Sequence, residues 1–169
     1  MTTATATLTE VFLQPGEYFV GDSGHRIRTV LGSCVSITLW HPARRIGAMS
    51  HFLLSHRSTR SIGPCDARYG EEAMELMMEE LARRRVALSQ CEGKLFGGGD
   101  MFPGLYRSDT MHVGQKNGEA ARAMMARHGV KVVSESLFGV GHRQIIFDVR
   151  TGHVWMARVA NAEADQQAS

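Results

Sequence analysis

The stretch RTVLGSCVSITLW, residues 28 to 40, alternates apolar and polar residues on both sides of a Gly-Ser pair. Alternation with a period of two is typical of a β-strand, and a Gly-Ser pair favours a turn. The stretch therefore predicts two strand segments separated at Gly32 and Ser33, with Cys34 at the start of the second. Cys34 is then either a packed core thiol or a nucleophile held at the end of a turn.

The next apolar stretch, IGAMSHFLL at residues 46 to 54, predicts a buried strand from which His51 projects as a polar residue. His41 and Pro42 form a turn between this strand and the one before it. A hairpin-like return at that turn brings Cys34 and His51 onto neighbouring strands. The two side chains are therefore candidates to lie side by side.

The rest of the chain predicts an α/β fold. Short strands are expected within 11–21, 94–102 and 130–138, and a hairpin within 143–159 turns at Thr151-Gly152. One helix is expected from a cap at Asp66 to about Arg85, and a second from Asn117 to His128. The hairpins favour antiparallel pairing in much of the sheet. One domain is predicted over residues 11–160, with disordered tails at 1–10 and 161–169.

Composition excludes several classes of protein. Nineteen basic and seventeen acidic residues leave a formal charge of +2, which does not indicate nucleic-acid binding. No apolar stretch approaches the roughly 18 residues of a membrane span, and the first ten residues do not resemble a secretory signal. The three cysteines have no Cys-x-x-Cys spacing, so we expect reduced thiols in a cytoplasmic protein without membrane insertion.

Cys34 and His51 together suggest nucleophilic chemistry. An imidazole that takes the thiol proton produces the thiolate, which attacks carbonyl carbon. Gly32, which lacks a Cβ, lets the backbone approach a substrate closely, and a turn with Ser33 can direct N–H groups at an oxyanion. A buried cysteine and a hydrogen-bonded core histidine are the alternative, since both residue types are common in cores.

Two other interpretations of the polar residues have less support. His51, His56, Cys34 and Cys65 are all zinc-ligand types, but no paired short spacing joins them, so no metal or other cofactor is expected. The glycines at 97–99 are not followed by the Gly-Lys-Ser/Thr of a phosphate loop. A tight turn that lines a cleft is the better interpretation of these glycines.

Five separated blocks carry a resemblance to a known family. LGSCVSITLWHP, GAMSHFLL, RYGEEAM, KLFGGGDMF and IIFDVRTGHVWMARV resemble the chemoreceptor glutamine deamidases, CheD, over roughly residues 12–159. The resemblance implies a β-sandwich flanked by helices, and hydrolysis of glutamine side-chain amides on methyl-accepting chemotaxis receptors. It also implies that Cys34 and His51 are the catalytic pair, that a cysteine thioester forms, and that a CheC-type phosphatase is a possible partner.

The resemblance further implies a threonine that holds the histidine, at Thr29 or, as in some members, one position earlier, where this chain has Arg28. The two residues point to opposite faces of a strand, so only one can face His51. A hydroxyl accepts a hydrogen bond from an imidazole, whereas arginine has no acceptor. We therefore predict Thr29 as the orienting residue.

Three functional classes follow. The first is the receptor deamidase, acting on receptor cytoplasmic domains. The second is a non-catalytic chemotaxis adaptor that docks a CheC-type phosphatase, and the third is a different thiol hydrolase. Retention of Cys34 and His51 counts against the adaptor, and the resemblance counts against another hydrolase.

Overall fold

A computed structural model describes residues 7–59, 62–105 and 111–159. Within these ranges the chain forms nine strands and two α-helices. The elements in chain order are β1 (Thr9–Phe12), β2 (Tyr18–Gly21), β3 (His25–Leu31), β4 (Val35–His41), β5 (Ile46–Ser50), α1 (Gly70–Arg83), β6 (Glu92–Gly97), α2 (Val113–Arg127), β7 (Lys131–Leu137), β8 (His142–Asp148) and β9 (Val154–Val159).

The strands form two sheets and no closed barrel. One sheet has the order β1-β3-β8-β9, and the other has the order β2-β5-β4-β6-β7. Most neighbours are antiparallel, but β1 pairs with β3, and β6 with β7, in parallel. The prediction of an α/β domain with a mainly antiparallel, sandwich-like core flanked by helices is confirmed, and both sheets are mixed.

The five-stranded sheet has two covered faces. Both helices pack on one face and form the helix-facing core, which includes Val35, Ile37, Leu39, Met74, Met77, Leu81, Ala121, Met124 and Met125. The four-stranded sheet packs on the other face and forms the inter-sheet layer, which includes Leu13, Ile27, Leu31, Met49, Phe96, Ile145 and Phe147. β4 lies in the middle of its sheet and is buried on both faces, which explains why nearly all its residues are buried.

The two short strands predicted around Pro15 and Gly16 do not pair with each other. β1 joins the four-stranded sheet and β2 joins the five-stranded sheet, so the linker between them crosses from one layer to the other. β1 also begins at Thr9, so the first two of its residues belong to the fold rather than to the predicted tail. Residues 1–6 and 161–169, also predicted as tails, lie outside the described residues.

The helix starts differ from the prediction. Tyr69, and not Asp66, takes the capping position of α1, because the Asp66 carboxylate instead binds the Arg68 backbone N–H and guanidinium. α2 begins at Val113, four residues before the predicted Asn117. Its first turn contains residues of low intrinsic helix propensity, which hid it from the pattern.

The predicted hairpin between β8 and β9 is confirmed, with a turn that includes Thr151 and Gly152. The turn is fixed by the Trp40 indole, which donates a 2.7 Å hydrogen bond to the Val149 carbonyl. Among the described residues, no helix has the length and apolar character that crossing a bilayer requires.

Candidate active site

The ends of β4 and β5 bring Cys34 and His51 together. Cys34 directly precedes β4, and His51 directly follows β5. The register of the two strands continues past their ends to pair Val35 with Phe52 through hydrogen bonds of 3.1 and 3.0 Å. Cys34 and His51 flank this pair on one face as diagonal neighbours, and such neighbours are about 7–8 Å apart in a ladder, with their Cβ atoms somewhat closer. A thiol and an imidazole ring can span that separation.

Thr29 approaches His51 from the opposite sheet. It lies on β3 with its side chain in the inter-sheet layer, fully buried, and its Oγ1 is 2.7 Å from His51 Nδ1. The same hydroxyl donates its one proton to the Leu13 carbonyl at 2.7 Å. Thr29 must therefore accept from His51, so Nδ1 carries the proton and Nε2 of the neutral ring is the available base.

The backbone also holds His51 in place. Its N–H donates to the Glu17 carbonyl at 3.0 Å, and its carbonyl accepts from the Gly16 N–H at 2.8 Å. The linker between β1 and β2 thus fixes His51 from one side while Thr29 fixes the ring. The residue is 2% exposed, so its position is set before any substrate arrives.

Burial favours the neutral forms of the thiol and the imidazole. It lowers the pKa of His51 to about 4, an effect that the charge of Glu17 partly opposes. Burial also raises the pKa of the half-buried Cys34 thiol. Within the described residues, no hydrogen bond joins the two side chains. Catalytic hydrogen bonds of this kind often shorten only when substrate binds.

The turn before β4 has all its carbonyls engaged. The carbonyl of Gly32 accepts from Gly99 N at 2.9 Å, that of Ser33 from Asn117 Nδ2 at 3.1 Å, and that of Cys34 from Gly98 N at 2.9 Å. In the described part of the chain, the N–H groups of Ser33 and Cys34 have no hydrogen-bond partner. Two backbone donors beside the thiol thus remain available.

The glycines at the end of β6 and directly after it are required by close contact with this turn. Gly97 has φ +110°, and a Cβ there would lie 2.2 Å from the Cys34 carbonyl oxygen. A cleft of about 160 Å³ opens beside Ser33, between Gly99 and the first turn of α2. The glycines therefore form a tight turn that lines a cleft, as the sequence predicts.

Gly32 lies close to two side chains. A Cβ at this position would face Met101 Sδ at 3.1 Å and His142 Cδ2 at 3.4 Å. Glycine therefore leaves room for these side chains beside the turn, and its role in the approach of substrate stays a prediction.

The residues considered for zinc are not gathered. Cys65 Sγ is 3.3 Å from Glu75 Oε2, and His56 Nδ1 is 2.9 Å from Ser55 Oγ. Among the described residues, no three His, Cys, Asp or Glu side chains are arranged to hold a metal ion. A larger open cleft of about 960 Å³ lies along the linker between β1 and β2, and neither Cys34 nor His51 lines this cleft or the smaller one beside Ser33.

Comparison with known proteins places this chain in a family. The sequence model of CheD, chemotactic sensory transduction, matches residues 53–158. A probable chemoreceptor glutamine deamidase of Albidiferax ferrireducens is 61% identical over 151 residues, covering 89% of this chain and 87% of the relative. The chain belongs to the CheD family.

Other relatives carry the same description. A probable chemoreceptor glutamine deamidase CheD of Dechloromonas aromatica is 41% identical over 98% of this chain and 96% of its own length. One from Pseudomonas savastanoi is 44% identical over 87% of this chain and 83% of its own length. The family model begins after His51, but the 151-residue match must span residues 29–51 of this CheD chain.

The sequence did not reveal two buried polar residues of the candidate site. Asn117 is 1% exposed on α2 and donates from Nδ2 to the carbonyls of Ser33 and Leu53. Arg143 on β8 is fully buried and donates to the carbonyls of Gly97 and Phe138. Both side chains hold the backbone around the thiol rather than facing solvent.

A signal for Asn117 is present in the sequence. Asn117 falls on the same helical face as Ala121 and Met124, which are buried, so it is a polar residue within an apolar stripe. Because the helix begins at Val113 and not at Asn117, Asn117 is an interior residue of that stripe and not the first residue of the helix. Arg143 also has a signal, because it lies two and four residues before Ile145 and Phe147, which face the inter-sheet layer from β8.

Proposed function

We propose that this protein deamidates glutamine side chains of chemotaxis receptors with Cys34 as nucleophile and His51 as base. The observation that carries the proposal is the hydrogen-bond chain from His51 Nδ1 through Thr29 Oγ1 to the Leu13 carbonyl. It leaves Nε2 of the ring as an acceptor beside a thiol. The names of the relatives, chemoreceptor glutamine deamidases, supply the substrate class.

The first step is attack on the amide. Because burial keeps both groups neutral at rest, His51 Nε2 takes the Cys34 proton as the sulfur bonds to the glutamine amide carbon. The amide oxygen becomes an oxyanion. The N–H groups of Ser33 and Cys34 are its donors in this proposal, since they lie beside the thiol without another partner in the described chain.

The second step completes the hydrolysis. The protonated imidazole returns its proton to the departing nitrogen, the C–N bond breaks, and ammonia leaves a thioester on Cys34. Water then attacks the thioester carbon while His51 accepts a proton from it. The C–S bond breaks, the thiol recovers its proton, and glutamate remains on the receptor. One water is consumed for each ammonia released.

The substrate we propose is a glutamine on the cytoplasmic domain of a methyl-accepting receptor. The half-buried Cys34 thiol suits one side chain reaching in from a larger partner rather than a free metabolite enclosed by the protein. A CheC-type phosphatase is a further partner that the family resemblance implies. Co-purification of the two proteins from one cell tests that part of the proposal separately.

The proposal is tested by incubating the protein with receptor cytoplasmic fragments from the same cell. Peptide mass spectrometry locates glutamine-to-glutamate conversion, and an ammonia assay follows its rate. We expect conversion with wild-type protein and with Cys65→Ala, and none with Cys34→Ala. Binding of receptor fragments without conversion by the wild-type protein would favour the adaptor role. Conversion that persists in Cys34→Ala would exclude this nucleophile.

A further inference from the structure

Asn117 is the one α2 side chain among the described residues that hydrogen-bonds the thiol turn. Its Nδ2 group donates to the Ser33 carbonyl at 3.1 Å and to the Leu53 carbonyl at 2.7 Å. Ser33 precedes the nucleophile, and Leu53 follows His51 by two positions. One amide group therefore ties the backbone on both sides of the candidate active site.

Packing of α2 explains how a helix reaches this turn. Gly114, one helical turn before Asn117, lies so close to the glycines after β6 that a Cβ there would be 2.3 Å from the Gly99 carbonyl oxygen. Residues three apart share a helix face, so this close approach carries Asn117 toward Ser33. The side chain is 1% exposed and cannot exchange its partners for water.

The geometry of the peptide bond converts this contact into an orientation of the next donor. A trans peptide is planar, and its C=O and N–H point in opposite directions. The peptide between Ser33 and Cys34 has its carbonyl bound to Asn117, so the Cys34 N–H points away from α2. The preceding peptide is fixed in the same way by the Gly99 N–H on the Gly32 carbonyl.

We propose that Asn117 is a positioning residue that directs the Cys34 N–H at the oxyanion of the deamidation reaction. The inference rests on the proposed function, since it assigns a role within that reaction. A neutral planar amide suits the task because it supplies two protons from one nitrogen to two carbonyls. An aspartate carboxylate at this position would place its oxygen acceptors against the Ser33 and Leu53 carbonyl oxygens, which are also acceptors.

The test compares two reactions of the same thiol in Asn117→Leu and Asn117→Ser. Deamidation of a receptor fragment forms an oxyanion, whereas alkylation of Cys34 by iodoacetamide is displacement at a saturated carbon and forms none. We expect kcat for deamidation to fall about tenfold to hundredfold, with KM changed by less than about twofold, because the donor acts in the transition state. The Cys34 alkylation rate should stay within about twofold of wild type.

Two control variants separate this role from loss of folding. Met125→Ala removes a buried α2 side chain from the helix-facing core, and Lys116→Ala changes an exposed neighbour of Asn117. Both should keep kcat per folded molecule, even though Met125→Ala lowers the free energy of unfolding. Asn117→Ser serves if Asn117→Leu does not fold, since its short side chain cannot reach both carbonyls.

The outcomes are distinct. Unchanged kcat in both Asn117 variants overturns the inference. A parallel fall in kcat and alkylation rate also overturns it, because Asn117 would then position the thiol and not the oxyanion donor. If wild-type protein converts no receptor glutamine while its thiol alkylates normally, the proposed function fails instead.

Discussion

The helix-facing core and the inter-sheet layer lie on opposite faces of the same five-stranded sheet but differ in composition. The helix-facing core is filled by methionine, leucine, valine and alanine side chains from α1, α2 and the sheet. The inter-sheet layer also encloses Thr29, His51 and Arg143 among its apolar residues. The proposed reacting side chains therefore face the inter-sheet layer, whereas the helix side contributes Asn117, which holds the backbone beside them.

Burying polar groups in the inter-sheet layer costs free energy of folding that a wholly apolar layer would not. Thr29 and His51 satisfy each other and the Leu13 carbonyl. Arg143 binds two carbonyls, but its Nε has no partner within the described residues. An unsatisfied buried donor costs about 1–3 kcal/mol. Retaining such groups makes sense where they orient a reacting pair and the backbone beside it.

The largest difference in activity should come from replacing cysteine with alanine once in each layer. Cys34→Ala removes the proposed nucleophile and should lower ammonia release about a thousandfold or more. Cys91→Ala makes the same change in the helix-facing core, where burial raises the pKa of that thiol to about 11. We expect full activity per folded Cys91→Ala molecule. Equal activity of the two variants would remove the functional contrast between the layers.

A second prediction addresses stability alone. Met77 is fully buried in the helix-facing core, and Met77→Ala should lower the free energy of unfolding by about 2–5 kcal/mol through lost contacts and a cavity. Urea titration measures the loss. Ammonia release, corrected for the folded fraction, should not change. A fall in kcat as large as the loss of stability would show that this core also shapes the site.

Much of the candidate site was predictable because it depends on local patterns. Alternation put Arg28 and Thr29, the two candidates from the resemblance, on opposite faces, and the need for a hydrogen-bond acceptor selected Thr29, whose Oγ1 meets His51 Nδ1 in the structure. The turn at His41-Pro42 predicted that the chain returns to place His51 on the strand next to Cys34. The glycines after Phe96 predicted a turn at a cleft. Each of these inferences uses a period or a turn signal within a few residues. The catalytic roles of the three residues remain predictions.

The rest depends on pairing over long distances. Alternation shows which side chains face inward but not which sheet a strand joins, so the separation of β1 from β2 could not be foreseen. α2 lies between β6 and β7 in the chain, and the parallel pairing of these strands depends on how that helix packs on the sheet. Asn117 binds the Ser33 and Leu53 carbonyls and Arg143 binds the Gly97 carbonyl, all far away in the chain, and nothing in the neighbourhood of either residue specifies those partners.

The third prediction concerns pH and His51. Its pKa is about 4 in the folded protein and 6.5 when unperturbed, so the unfolded chain binds more protons between these values. This contribution to stability is complete above pH 6.5 and is lost as the pH falls toward 4, a loss of about 3 kcal/mol. Urea unfolding of wild type and His51→Gln at several pH values isolates it, because the other groups titrate in both. Parallel curves would mean that His51 is not buried as a neutral ring.

The smallest effect should separate the orienting hydroxyl from ordinary buried hydroxyls of the same layer. Thr29→Val keeps the shape but leaves His51 Nδ1 without its acceptor, so the ring loses its fixed tautomer and kcat should fall about tenfold, or about 1.4 kcal/mol. Thr38→Val makes the same change at a residue 1% exposed on β4, and should leave kcat within about twofold. Arg28→Gln alters the outer face, where Arg28 lies 3.8 Å from Glu10, and should also keep kcat. Steady-state ammonia release with one receptor fragment ranks the three variants. If Thr29→Val and Thr38→Val lose equal activity, the hydroxyl contributes through packing of the layer, and the orienting role of Thr29 is wrong.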